Sequence, residues 1–141
     1  MMEDFISREE DFAISCTFSS TLANIDRAIN SIRDFLVSRR IEYNRFELLF
    51  ILREALNNAV IHGNGSNSDL QVHCTLGIAD DTFAITVADQ GKGFDWRQQI
   101  MKKPVSTVTT SGRGLNVMEH YGYAIRFNDA GNTLYLTKKI I

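Results

Sequence analysis

Glu54 and Asn58 stand four residues apart in the run Arg53-Glu54-Ala55-Leu56-Asn57-Asn58-Ala59-Val60-Ile61-His62-Gly63, an otherwise apolar helical pattern. That spacing sets a carboxylate and a carboxamide on one helix face, where either costs free energy unless it is hydrogen-bonded or metal-bound. A carboxamide oxygen suits a hard cation such as Mg²⁺, which takes few protein ligands and keeps waters or phosphate oxygens for the rest of its shell. A carboxylate one turn earlier can bind a water or accept a proton. Taken alone, the pair fits exposure to solvent as well as it fits ligation. A second run, Asp89-Gln90-Gly91-Lys92-Gly93-Phe94, ends an alternating apolar segment. It is either a strand-ending turn or an acceptor for the amino group of a flat heterocycle, with glycines that let the backbone pass close by. The third, Ser111-Gly112-Arg113-Gly114-Leu115, opens a short helical pattern. It is either a flexible turn or a set of free N–H groups offered to phosphate, with Arg113 adding a charge-assisted contact. It lacks the GxxxxGK[ST] pattern of a P-loop.

The elements that must carry these runs follow from hydrophobic periodicity. Residues 1–9 are polar and are expected to be loose, and Asp11 to Phe18 alternates as a half-buried strand through Phe12, Ile14, Cys16 and Phe18. Ser19, Ser20 and Thr21 offer caps to an amphipathic helix over Leu22 to Arg39. Asn44 caps a second helix through His62, expected to be the more buried of the two because its apolar residues cover more than one face. Gly63, Asn64 and Gly65 supply left-handed residues to end it. A hairpin follows, with strands from Leu70 and from Phe83 around an Asp80-Asp81 turn. Regular patterning fails from Gly91 to Gly114, a length of loop that is usually functional or mobile. Leu115 to Tyr121 then reads as a short helix, with strands at Ala124 to Asn128 and Thr133 to Lys139. The sum is one α+β domain over residues 1–141, a two-layer sandwich of a mixed, mostly antiparallel sheet with helices on one face.

Composition narrows the function. With 15 basic against 17 acidic residues and a net charge of -2, nothing draws the 141-residue chain to nucleic acid or anionic lipid. There is no apolar run of about 18 residues, and the acidic start lacks the features of a secretory signal, so a cytoplasmic location without membrane contact is expected. Cys16 and Cys74 have no CxxC or His partner and read as buried reduced thiols. His62 reads as a helix-terminus residue, His73 as outward-facing on a strand, Phe94 and Trp96 as packing anchors, and Arg39-Arg40 as a solvated pair.

Together and in this order, the three runs resemble the boxes of the ATPase superfamily of gyrase, histidine-kinase and heat-shock-chaperone nucleotide domains. Within it the chain most resembles the anti-sigma-factor serine/threonine kinases, over nearly its whole length. Glu54 to Gly63 resembles their N box, Asp89 to Gly93 the first glycine box, and Gly112-Arg113-Gly114-Leu115 the second. The resemblance implies that ATP and Mg²⁺ are bound, with Asn58 as the Mg²⁺ ligand, Glu54 as general base and Asp89 as acceptor from the adenine amino group. It implies that Gly91 and Gly93 line the adenine side, that Gly112, Arg113, Gly114 and Leu115 meet the phosphates, and that residues 95–111 form an ATP lid. The relatives' Gly-Thr pair reads here as Gly131-Asn132-Thr133, which leaves Asn132 and Thr133 as alternatives beside the adenine, Thr133 being the one carried over. The implied function is phosphoryl transfer to an anti-sigma-factor-antagonist-like protein, with a sigma factor as a further partner and a homodimer as a possible assembly. The alternative is a nucleotide-dependent protein-binding switch without transfer.

Overall fold

The structure, a computed structural model, describes residues 4–93 and 114–140. The chain starts with two strands, β1 (Phe5–Glu9) and β2 (Ala13–Ser19), and passes through helices α1 (Leu22–Ser38) and α2 (Arg45–Asn57) into a π-helical segment, Asn58–Gly63. A hairpin of β3 (Gln71–Ala79) and β4 (Thr82–Ala88) follows, then the short helix α3 (Leu115–His120) and strands β5 (Ala124–Phe127) and β6 (Thr133–Lys139). The six strands form one sheet in the order β1-β2-β3-β4-β6-β5. Every neighbouring pair is antiparallel, so the sheet expected to be mixed and mostly antiparallel is antiparallel throughout its described strands. One crossover helix would deliver the next strand parallel to the last. Two successive helices, α1 and α2, return the chain so that β3 runs against β2.

Alternation decides which face of the sheet the helices cover. Ile14, Cys16 and Phe18 of β2, Val72, Cys74 and Leu76 of β3, and Phe83, Ile85 and Val87 of β4 are buried. They join Ile25, Ile29, Ile32, Phe35 and Leu36 of α1 and Leu48, Ile51, Leu52 and Leu56 of α2 in one core. Burial of each such side chain contributes roughly 1.5–3 kcal/mol. Thr17, His73, Thr75 and Thr86 occupy the alternate positions and face outward, with Thr17 Oγ1 bonded to His73 Nδ1 at 2.7 Å. The two cysteines face each other across the β2–β3 register and are free and buried. Burial pushes the Cys16 thiol up to about 11 and the Cys74 thiol higher still.

Residues 5–9 are a paired edge strand and not loose. Their side chains are mostly exposed, so composition conceals a segment held by its backbone and by a few anchors. Phe5 stacks on Phe18, and the Arg27 guanidinium lies over the Phe5 ring. Asp4 accepts from Ser19 and Asn24, contacts that hold its carboxyl below the usual range. Arg39, read as solvated, donates to the carbonyls of Glu10 and Asp11 and pairs with Glu9 at 3.3 Å, tying the end of α1 to the β1–β2 turn. No helix among the described residues is long and apolar enough to cross a membrane.

Candidate functional site

The rotation of α2 about its axis is set at its start. Asn44 Oδ1 accepts from the Glu47 N–H at 3.1 Å, and the Glu47 carboxylate pairs with Lys138 of β6, pinning the first turn to the sheet. Tyr123 lies beside this pair, and burial raises its phenol well above the ordinary value. With the start fixed, Ala55 and Ala59 are buried while Glu54 and Asn58 are half-buried. Both polar residues are thus only partly exposed to solvent.

After Asn57 the helix widens into the π-helical segment and does not run on as an α-helix to His62. The Asn64 N–H bonds back to the Ala59 carbonyl, five residues earlier, at 2.8 Å. This widened turn brings Gly63 against the end of β4. A Cβ on Gly63 would lie 2.3 Å from Asp89 Oδ2, and one on Gly91 would lie 2.0 Å from the Gly63 carbonyl oxygen. Gly63 is thus required for close approach and not for a left-handed backbone, a role that Gly65 takes with φ of 60°. His62 is exposed in the last turn.

The Asp89 carboxylate is itself oriented. The Gly91 N–H donates to its Oδ1 at 2.8 Å, and the Asp89 N–H donates to the Asn132 carbonyl at 2.9 Å. Gly93 has φ of 84°, and a Cβ there would lie 1.7 Å from the Ala130 carbonyl oxygen. The opposing turn is organised by Asn128, whose Oδ1 accepts from the N–H groups of Gly131, Asn132 and Thr133 at 2.8, 3.0 and 3.2 Å. Asn132 Nδ2 then donates to the Gly91 carbonyl at 3.2 Å, joining the two turns.

These pieces surround one open pocket. Its walls are Ala55, Ala59, Val87, Leu115, Phe127 and Leu134, and its polar groups come from Asn58, Asp89, Asn132 and Thr133. Gly114, at φ of 72°, begins α3, and a Cβ on it would lie 2.9 Å from Glu54 Oε2. Gly114 of the second glycine run therefore abuts the carboxylate of Glu54. Of the residues singled out in the sequence, Asn58, Asp89, Leu115 and Thr133 line the pocket, while Glu54, Gly91, Gly93 and Gly114 lie against its surrounding elements. Gly112, Arg113, Phe94, Trp96 and the expected lid at 95–111 lie outside the described residues.

Sequence reasoning missed the apolar walls other than Leu115, and Asn128. Ala55 and Ala59 did carry a signal, small residues at i and i+4 on the face next to Glu54 and Asn58. Asn128 carried only the ordinary turn signature of Asn and Asp followed by Gly. Asn132 and Thr133, left as alternatives, both reach the pocket.

Comparison with known proteins gives two findings. Residues 18–138 match the family model described as the histidine kinase-like ATPase domain. The chain is also similar to proteins named anti-sigma F factor. One from Priestia megaterium is 29% identical over 143 residues, covering 96% of this chain and 87% of the relative. One from Bacillus subtilis (strain 168) is 24% identical over 141 residues with the same coverage, and one from Heyndrickxia coagulans is 35% identical over 75 residues, about half of each chain.

Proposed function

The chain belongs to the family of histidine kinase-like ATPase domains, and from that premise we propose that it is an ATP- and Mg²⁺-dependent serine/threonine protein kinase. Its proposed acceptor is an anti-sigma-factor-antagonist-like protein, and a sigma factor is a second proposed partner. The similarity to proteins named anti-sigma F factor over 96% of the chain supports the regulatory setting. Family membership implies ATP binding. The observation that carries the transfer reading is the joint placement of Glu54 and Asn58. Both are half-buried, Glu54 in the last turn of α2 against Gly114 and Asn58 at the start of the π-helical segment on the pocket wall.

The pocket's chemistry fits a purine nucleotide. Apolar walls accept a flat ring, and Asp89, fixed by the Gly91 N–H, supplies an acceptor for an exocyclic amino group. The positions where a Cβ would strike Asp89, Gly63 or Ala130 explain why glycines stand there. Asn58 offers one amide oxygen to a cation. Among the described residues no three His, Cys, Asp or Glu side chains form a cluster suited to a metal ion. Mg²⁺ would accordingly be shared with phosphate oxygens, in keeping with its preference for few protein ligands. Gly114 and Leu115, at the start of α3, would meet the phosphates, and Gly112 and Arg113 are proposed as further phosphate contacts.

Bound Mg–ATP supplies the electrophilic phosphorus. The protein's own work is to hold it and to manage one proton: the Glu54 carboxylate accepts hydrogen from the acceptor hydroxyl and keeps that oxygen oriented. Catalysis then rests on positioning and electrostatics, as in other phosphoryl transfers. The test is incubation with labelled ATP, Mg²⁺ and an anti-sigma-factor-antagonist-like protein. Label on a serine or threonine of that protein is expected. ATP-dependent binding without label would overturn the kinase reading in favour of a nucleotide-dependent switch.

A further inference from the structure

Ser20, Asn24 and Asn64 are the buried polar residues among those described, and Asn64 touches the turn that carries Asp89. It follows the π-helical segment and is 4% exposed. Its Oδ1 accepts from the Gln90 N–H at 2.8 Å, while its Nδ2 donates to Ser20 Oγ at 2.8 Å and to the Gln71 carbonyl at 2.9 Å. Its own N–H is held by Ala59. Both ends of the carboxamide are thus satisfied, and its orientation follows from the donor and acceptor pattern around it. Ser20 is in turn fixed through its hydroxyl, which donates to the Leu70 carbonyl at 2.8 Å.

The Gln90 N–H belongs to the peptide that joins Asp89 to Gln90, so the bond from Asn64 fixes the plane of that peptide and the direction in which the Asp89 side chain leaves it. The turn has further tethers: Gln90 Oε1 accepts from the Gln71 N–H at 2.6 Å, and Asn132 holds Asp89 N–H and the Gly91 carbonyl. Asn64 is the buried one that joins this turn to the end of the Asn58 segment. A shift there moves the carboxylate relative to Asn58, and a hydrogen bond to a ligand weakens steeply with small displacements.

We infer that Asn64 is a positioning residue for base selectivity, holding the Asp89 peptide so that the carboxylate meets the exocyclic amino group of the purine. This rests on the reading of Asp89 as the purine acceptor. Asn64 touches no ligand in this scheme. Its effect is specific to the part of the nucleotide that Asp89 reads.

The experiment compares equilibrium binding of ATP and of inosine triphosphate, which has a carbonyl where ATP has the amino group. The proteins are the full chain and its Asn64→Leu, Asn64→Asp and Asp89→Ala variants, each also melted thermally. The unsubstituted chain should prefer ATP, and Asn64→Leu should lose roughly ten-fold in ATP affinity while inosine triphosphate affinity holds within about two-fold. Asn64→Asp keeps the acceptor for Gln90 and loses the two donated bonds, so it should melt lower yet retain the ATP preference. A folded Asn64→Leu chain with an unchanged preference, or with equal losses for both nucleotides, overturns the inference. If Asn64→Leu does not fold, Asn64→Ser is read by the same criteria. Should Asp89→Ala retain the ATP preference, the reading of Asp89 itself has failed; an Asp89→Ala loss with no Asn64→Leu loss sinks the positioning role alone.

Discussion

Helices α1 and α2 lie side by side on the same face of one sheet, yet their buried and half-buried polar residues meet different surroundings. In α1 the buried stripe is Ile25, Ala28, Ile29, Ile32, Phe35 and Leu36, with Asn24 at its first turn bonded to Asp4 and Ser19. Ser31 and Arg33 are half-buried, and the rest of its polar residues are exposed. In α2 and the π-helical segment that continues it, a buried apolar stripe coexists with the half-buried Glu54 and Asn58. The second helix and its continuation keep partly buried polar groups next to a pocket that α1 does not line, where a helix that only had to hold the fold together would need none.

That contrast can be broken or sharpened by substitution. The largest stability effect should come from α1: Phe35→Ala, 1% exposed, should cost about 3–5 kcal/mol in chemical denaturation. ATP affinity of the folded fraction should be unchanged, and a selective loss of affinity would break the division. In α2 the pattern should invert. Asn58→Leu should change stability by about 1 kcal/mol or less, because a half-buried amide gives way to an apolar group of similar size, yet lower Mg²⁺-dependent ATP affinity by 10-fold or more, roughly the effect of perturbing a metal site. The helix starts should behave alike. Thr21, whose side chain accepts from the Asn24 N–H, and Asn44, which accepts from Glu47, should each lose about 1 kcal/mol on replacement by alanine.

The smallest effect near neutral pH is at the cysteines. Their folded pKa values lie above the unfolded ones, so their contribution is fully present below the unfolded pKa and is lost as pH rises through the folded pKa. Stability should fall between about pH 9 and 11, measured by denaturation at stepped pH, and fall less when Cys16 is replaced by serine. In the folded chain at pH 8 both thiols should resist alkylation, in contrast to the unfolded chain.

Much of this was legible in residues. The span Thr133 to Lys139, the β3–β4 hairpin, the caps Thr21 and Asn44 and the body of α1 follow from alternation, helical periodicity and capping chemistry. The edge strand was not legible, because its side chains are exposed and its order comes from backbone pairing and the distant Arg39 and Arg27. Nor was the π-helical turn, since Asn58 to Gly63 satisfies an α-helical pattern and only the approach of Gly63 to Asp89 shows why it widens. Asp89, Asn58 and Gly114 were recognisable as a set. The apolar walls and the Asn128 turn that complete the pocket are ordinary residues whose meaning comes from register.

Glu54 on α2 and Asn58 just beyond it have separate tasks in the proposed reaction. The direct measurement is labelled-phosphate transfer to an anti-sigma-factor-antagonist-like acceptor, taken beside Mg–ATP affinity for the Glu54→Ala chain. Transfer should fall about 10²–10⁴-fold, the range for loss of a general base, with ATP affinity within about two-fold of the parent. Transfer at the parent rate would contradict the role assigned to Glu54, and with it the division of labour on α2.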